Sequence, residues 1–301
     1  MTDLALGTYR CRAIPETAAR AAASGAWIDT APNYAQGRAH ALLAPTLAAH
    51  PASRVSTKAG FFTATTGADA VRARVLDGAR AATGHSLAPD YLRWQLDRNR
   101  AELGRERLDL VLLHNPERAH HGDRAALHQV LRDAFTVLEE AAAAGHLTGY
   151  GVATWHGFTD GLFTVADLLA LAADAAGTDA HHLAAVQLPV SLVVLGPLLQ
   201  ALDGHGPLAD AAAANLTVMA SAPLHGGELP RITGPELADL IRPGLTPAQA
   251  CLLTIASCPG VTQLLVAASS APHWEEAAVA VAQPPLDATR LREIAGVLTS
   301  A

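Results

Sequence analysis

The stretch Leu4-Ala-Leu-Gly-Thr-Tyr-Arg-Cys-Arg12 decides between two architectures. It begins as a short apolar run of strand type and then turns. In an open doubly wound sheet, the first strand leads into Gly-x-Gly-x-x-Gly, whose glycines let the backbone approach a pyrophosphate. Here Gly7-Thr-Tyr-Arg-Cys-Arg12 follows instead, which is not that motif. Working outward, similar short apolar runs recur at Leu4–Thr8, Trp27–Thr30, Val55–Thr57, Leu108–Leu113, Tyr150–Ala153, Ala185–Leu188, Thr217–Ala220 and Leu264–Ala267. They lack polar alternation, as expected of parallel strands covered on both faces. Helix signals fill the intervals. Pro15 and Gly25 bracket Ile14–Ser24, Pro89 and Gly104 bracket Pro89–Leu103, Gly145 ends Arg124–Ala144, and Thr246 is a good N-cap for a helix to Ser257. Eight strands, each followed by a helix-capable segment, predict a closed (β/α)₈ barrel in one domain over residues 1–301.

Composition sets the outer limits. Half of the 301 residues are hydrophobic and only 4% are aromatic, so the apolar volume must come mainly from Ala, Leu and Val. Charge is −7, from 21 basic and 28 acidic residues, with no basic tract, which excludes a nucleic-acid-binding surface. Cys11, Cys251 and Cys258 are odd in number and lack CxxC spacing, arguing against a disulfide framework or a metal site. No apolar run reaches the ~20 residues that span a bilayer. The N-terminus lacks the basic-then-apolar order of a signal peptide. A cytoplasmic protein is expected, and the Ala-rich, Arg-over-Lys usage resembles that of GC-rich bacteria.

Barrels build their chemistry at the C-terminal ends of the strands. Asp29 ends the second strand, Tyr34 lies five residues into the following loop, Lys58 ends the third strand and His114 the fourth. Gln187 is near the end of the sixth. A tyrosine, whose ordinary pKa is near 10, is a poor proton donor or base at neutral pH. A nearby ammonium, held by an aspartate, favours its phenolate, and a histidine can orient a substrate oxygen or relay the proton. Taken singly, Asp29 reads as a loop cap, Lys58 as a solvated strand end, Tyr34 as loop packing and His114 as a satisfied core histidine. Four such types on three successive strands read better as an acid–base centre aimed at a carbonyl oxygen.

The segments Asp29-Thr-Ala-Pro-Asn-Tyr34, Val55-Ser-Thr-Lys58 and Leu108-Asp-Leu-Val-Leu-Leu-His114 resemble, in that order, the signature segments of the aldo-keto reductases. The likeness continues through Gly149–Trp155, Val186-Gln-Leu-Pro189, Met219–Leu224 and Ser257–Val261. It implies a nicotinamide cofactor, usually NADPH, and hydride transfer with an aldehyde or ketone, or the alcohol in reverse. Tyr34 would be the general acid, with Lys58 and Asp29 lowering its pKa and His114 orienting the carbonyl. For the cofactor it implies Gly7, Thr8, Asp29, Thr154 and Gln187 around the nicotinamide. Ser221, Pro223 and Leu224 would flank the ring and pyrophosphate, and Ser269, His273 and Glu276 the adenosine end.

Departures from the family pattern fall on the cofactor side. Ala35 and Ala267 stand where glycine is usual, and Ser191 and Ala277 where asparagine is usual. No Lys or Arg lies between Leu264 and Val281 to meet a 2′-phosphate, which leaves His273 there, with Arg231 as a cation from another loop. The alternatives are therefore NADPH, NADH or no cofactor. The last would make the same Tyr/His/Lys centre a lyase, dehydratase, isomerase or cyclase, and a non-catalytic barrel is a third reading. His120-His121 and His181-His182 read as exposed histidines, not metal ligands. Phe61-Phe62, His120-His121, Trp155 and His225 are expected around the pocket, Trp155 and Trp27 are read either at the mouth or as core, the commoner place for Trp, and His225–Pro235 is read as a flap or a long connection.

Overall fold

A computed structural model describes residues 2–300. Eight strands, β1 (Asp3–Gly7), β2 (Ile28–Asp29), β3 (Val55–Ala59), β4 (Leu108–His114), β5 (Leu147–Ala153), β6 (Leu183–Pro189), β7 (Thr217–Ser221) and β8 (Gln263–Val266), pair in parallel in chain order. β1 also pairs with β8, Leu4 opposite Leu264 and Leu6 opposite Val266, which closes the barrel. Each expected strand is present, with ends within a few residues of those read from the sequence. β5 starts earlier than expected because Leu147 pairs with Leu108, although polar Thr148 and Gly149 weaken the apolar signal there.

The helices begin and end where the local chemistry directs. The helix Pro89–Leu103 starts on its proline and ends at Gly104, whose φ of 65° is left-handed. Thr246 caps Pro247–Ala256 through a reciprocal capping box with Gln249. The region His225–Pro235 is not an open flap. It folds into a 3₁₀ turn at His225–Gly227 and short helices at Leu229–Ile232 and Pro235–Ile241. The Gly and Pro residues read as loop formers are used there as a turn (Gly226, φ 70°) and as helix starts (Pro230, Pro235).

The alternation of a strand sorts its side chains between two layers. Outward residues join a large apolar cluster under the helices. Inward residues form a separate small core of Ala5, Leu110, Leu112, Ala153, Ala185, Met219 and Leu265. Three of these are alanines, so the barrel fills its interior with small side chains, as the low aromatic content requires. The closest approach is at Gly151, where a Cβ would stand 2.1 Å from the Ala185 carbonyl oxygen, beside a register shift between β5 and β6. Trp27 packs against this inner core from the start of β2, with the Arg54 guanidinium 5.0 Å from its ring. It therefore lies at the N-terminal end of the barrel, and the reading that put it at the mouth is corrected. Among the described residues no helix is long and apolar enough to cross a membrane.

Candidate active site

The same alternation aims the functional side chains. On β4, Leu110 and Leu112 face the interior, so His114 faces it two residues further on, at the mouth. On β3, Ser56 and Lys58 share the inward face, while Thr57 turns outward to His40 on the helix Ala39–Ala49. β2 places Asp29 beside Ser56 in register. All three predicted strand-end residues thus meet at one end.

Asp29 and Lys58 form a buried ion pair, 3% and 1% exposed. Lys58 Nζ donates to Asp29 Oδ2 (2.6 Å), Asp29 Oδ1 (2.8 Å) and the Thr30 carbonyl (3.1 Å). An ammonium has three protons, and all three are used. Asp29 Oδ1 also accepts from Ser56 Oγ at 2.9 Å and Gln187 Nε2 at 3.1 Å. Tyr34 lies above this pair, with Lys58 Nζ 5.1 Å from its ring centroid and the His114 ring edge-on at 5.8 Å.

The electrostatics correct one expectation. Tyr34 is not driven towards phenolate. Burial, then the negative charge of Asp29, then Tyr9, hold its phenol well above the usual tyrosine value. The physical reason is chiefly that the phenol is fully buried, with the Asp29 carboxylate adding to the penalty on a phenolate. His114 is held well below the usual histidine value, first by burial and then by the Lys58 charge, so the imidazole is neutral. Its Nδ1 is buried without a partner. A proton there would be an unpaired donor, which costs more than an unused acceptor lone pair, so the proton belongs on Nε2.

The mouth contains residues that strand ends alone do not reveal. Tyr9 stacks on Tyr34 (ring centroids 5.0 Å apart), and the Arg10 guanidinium lies 5.4 Å from the Tyr9 ring. On the other side, Phe61 packs on His114 at 4.7 Å, and Arg118 lies 5.1 Å from the Phe61 ring. His85 Nε2 is 2.9 Å from the His114 carbonyl, and burial brings this histidine down to about 4. Neutral His85 therefore donates that bond. Phe62 turns away to pack on Tyr91, which corrects its expected place in the pocket wall. Trp155 is at the rim and 51% exposed, its backbone N–H held by Glu117 Oε1 at 2.8 Å. Tyr9 and Arg118 follow the first and fourth strands closely and were within reach of the same rim rule. His85 comes from a distant excursion joined by the bridge Phe61–His85, and nothing local in the sequence signals it.

The residues expected around a cofactor lie on the opposite arc, from β5 to β8 and β1. Thr8 Oγ1 bonds Thr30 Oγ1 at 2.9 Å, and Gly7 is buried beside β8. Thr154 Oγ1 accepts from the Gly157 N–H, so its own proton remains available. Gln187 has its Nε2 committed to Asp29, which leaves Oε1 for a carboxamide N–H. Ser221 ends β7, and the loop through buried Pro223 and half-buried Leu224 has left-handed backbone at Ala222 (φ 50°) and His225 (φ 47°). Ser269 Oγ accepts from the Arg12 backbone N–H (3.2 Å), and His273 is exposed near the start of the helix Ala271–Val281, capped by Ser270.

The departures take definite forms. Ala35 is left-handed (φ 49°), the conformation that a glycine would adopt freely. Ser191 Oγ is turned into its own loop, accepting from the Val194 N–H. Ala277 is buried in the core, and Glu276 Oε1 is taken by Thr246 Oγ1 at 2.6 Å. Two further arginines lie near this arc. Arg12 lies beside Ser269, and Arg10 reaches the β7 loop, where a Cβ at Gly226 would stand 3.0 Å from Arg10 Nη1. The free Thr154 hydroxyl proton and Gln187 Oε1 fit the nicotinamide end of a dinucleotide, whereas buried Ala277 and the engaged Glu276 offer no adenosine contact.

Other clusters lie away from this end. A cleft of about 230 Å³ bordered by Arg93, Glu140, Leu108 and Leu147 sits at the N-terminal ends of β4 and β5. His182 bonds Glu139 through Nδ1 at 2.6 Å. Among the described residues, no group of three or more His, Cys, Asp or Glu is arranged to hold a metal.

Comparison with solved structures finds the same fold. The crystal structure of a putative 2,5-diketo-D-gluconic acid reductase B superposes with a TM-score of 0.68 at 17% identity, covering 98% of this chain and 86% of that one. An aldo/keto reductase from Klebsiella pneumoniae in complex with NADP and acetate gives 0.67 at 20% identity, covering 98% and 90%. An aldo-keto reductase from a Medee basin deep-sea metagenome library gives 0.64 at 17%, covering 100% and 93%. No curated protein matches the chain. The aldo/keto reductase family model matches residues 12–238, most of the chain and all four residues of the acid–base centre, and the chain belongs to that family.

Proposed function

We propose that this chain reduces the carbonyl group of a small aldehyde or ketone, with Tyr34 as proton donor and a nicotinamide cofactor as hydride source. The observation that carries the reading is the Tyr34–His114 pair, edge-on at 5.8 Å over a closed Asp29–Lys58 ion pair. Bound NADPH or NADH would supply a hydride to the carbonyl carbon. Gln187, Thr154 and Ser221 would hold its nicotinamide end and Arg10 its phosphates.

The chain's own groups handle the oxygen. Neutral His114 donates from Nε2 to the carbonyl oxygen and orients it. As negative charge develops on that oxygen, the Tyr34 hydroxyl gives up its proton, completing the alcohol. The tyrosinate left behind stands close to Lys58, whose charge then has a second anion to stabilise. Solvent restores the proton. A phenol held above its ordinary value stays protonated and so has a proton to give, but it is a weaker acid than a free tyrosine, and the transfer must be driven by the charge developing on the substrate oxygen. The test is Tyr34→Phe, expected to lower carbonyl reduction by about 10²-fold or more while leaving cofactor binding in place. Undiminished reduction in this variant would remove Tyr34 from the mechanism.

A second reading draws on Ser191, turned into its loop, and Ala277, buried. Both withdraw contacts from the cofactor groove, and the Tyr34–His114 pair could serve a lyase or isomerase without nicotinamide. That reading requires turnover in cofactor-free protein.

A further inference from the structure

The acid–base pair is flanked on both sides by a guanidinium on an aromatic ring. The order across the mouth is Arg10, Tyr9, Tyr34, His114, Phe61, Arg118, each neighbour in contact with the next. Among the described residues, neither arginine forms an ion pair with a carboxylate, whereas ten other arginines of this acidic chain do. The two are not equivalent. Arg10 lies against Gly226 in the β7 loop, on the arc with Ser221 and Ser269, where the cofactor groove runs. Arg118 is on the opposite arc, in the turn Pro116–Ala119 after β4, next to the histidine that meets the substrate oxygen.

The acids near Arg118 do not neutralise it. Glu117 is buried, and its Oε1 accepts the Trp155 and His156 backbone N–H groups at 2.8 and 3.3 Å. Asp29 is committed to Lys58. His156 and Asp160 pair with each other. The charge of Arg118 does reach the site, since it helps to hold His85 neutral against His114. A guanidinium fork left free beside a carbonyl-orienting histidine matches a planar carboxylate two-pronged.

Resting on the reductase reading above, we propose that Arg118 selects anionic substrates: carbonyl compounds carrying a carboxylate one aromatic ring's width from the reacting carbon. Phe61 supplies the apolar floor between the two polar ends. The Arg118 guanidinium receives the carboxylate, so the carbonyl is presented to His114 and Tyr34 in one orientation.

The test compares 4-carboxybenzaldehyde with its methyl ester in wild type, Arg118→Gln and Arg118→Lys. Wild type should prefer the acid in kcat/KM by about ten-fold or more, mainly through KM, with the preference shrinking as salt is added. Arg118→Gln should abolish the preference, and Arg118→Lys should keep part of it. Equal use of acid and ester by wild type, or a full preference in Arg118→Gln, overturns the proposal. Benzoate binding, read by Trp155 fluorescence or calorimetry, separates this outcome from failure of the reductase reading. If no carbonyl compound is reduced but benzoate binds about ten-fold tighter to wild type than to Arg118→Gln, the anion site stands and the redox reading falls. No reduction and no Arg118-dependent benzoate binding overturns both.

Discussion

Replacing Lys58 by methionine should destabilise the protein far more than loss of one surface charge would. Lys58 is 1% exposed, and its three protons go to Asp29 Oδ1, Asp29 Oδ2 and the Thr30 carbonyl. Methionine has a similar shape and fills the space, so the cavity contribution is small. What remains is a carboxylate, 3% exposed, that has lost its counter-ion. Removing one partner of a buried pair typically costs about 3–5 kcal/mol. Ser56 Oγ and Gln187 Nε2 still donate to Asp29 Oδ1, which places the expected loss towards the lower end, about 3 kcal/mol. Adding Asp29→Asn removes the stranded charge, and the double variant should recover most of that loss. Urea unfolding followed by circular dichroism measures each single variant and the pair. A loss below about 1 kcal/mol in Lys58→Met, or no recovery in the double variant, would refute the buried-pair argument.

Other consequences are equally direct. Ala35→Gly relieves a left-handed alanine beside Tyr34, worth about 1–2 kcal/mol, against a glycine entropy cost of about 0.5–1 kcal/mol. A net gain of roughly 0.5–1 kcal/mol in thermal unfolding is expected, and destabilisation would show that the strain is not there. Gly151→Ala forces a Cβ to 2.1 Å from the Ala185 carbonyl and should yield little folded protein; a normal melting temperature would contradict the β5–β6 packing. Stability should fall as pH drops through the window from 6.5 to about 4, because the unfolded chain protonates His85 near 6.5 and the folded chain only near 4. The unfolded state binds more protons across that window, with an upper limit of about 3 kcal/mol for His85, and His114 acts in the same direction. Denaturant midpoints that fall less steeply with pH in His85→Gln than in wild type would bear this out, and identical slopes would reject it.

The barrel was legible because its signals are local. Strand-length apolar runs, Pro at helix starts and Gly at helix ends each report on a few neighbouring residues, and they survive in the structure nearly unchanged. Asp29, Lys58 and His114 were legible for a related reason: strand alternation and the rim rule together fix where a strand-end side chain points. The tyrosine's protonation was not legible. It depends on how completely the folded mouth buries the phenol and on the Asp29 carboxylate beside it, which only the packed strands reveal. His85 was hidden because it reaches the site from the excursion between β3 and β4. Cations brought to this arc by the fold are likewise not visible along the chain. A search of residues 264–281 finds none, but barrel closure brings the β1 loop, with Arg10 and Arg12, against β7 and β8. Trp27 and Phe62 show the opposite error, since nearness in sequence to site residues does not place a side chain at the mouth.

On the proposed reading, this rim binds a nicotinamide dinucleotide and Tyr34 protonates a carbonyl. Calorimetric titration of the protein with NADPH and with NADH tests it most directly. Saturable one-to-one binding of at least one of them, weakened by Arg10→Gln and retained by Tyr34→Phe, is the predicted result. Absence of binding by both at high cofactor concentration would contradict it and leave the acid–base centre to a reaction that needs no hydride.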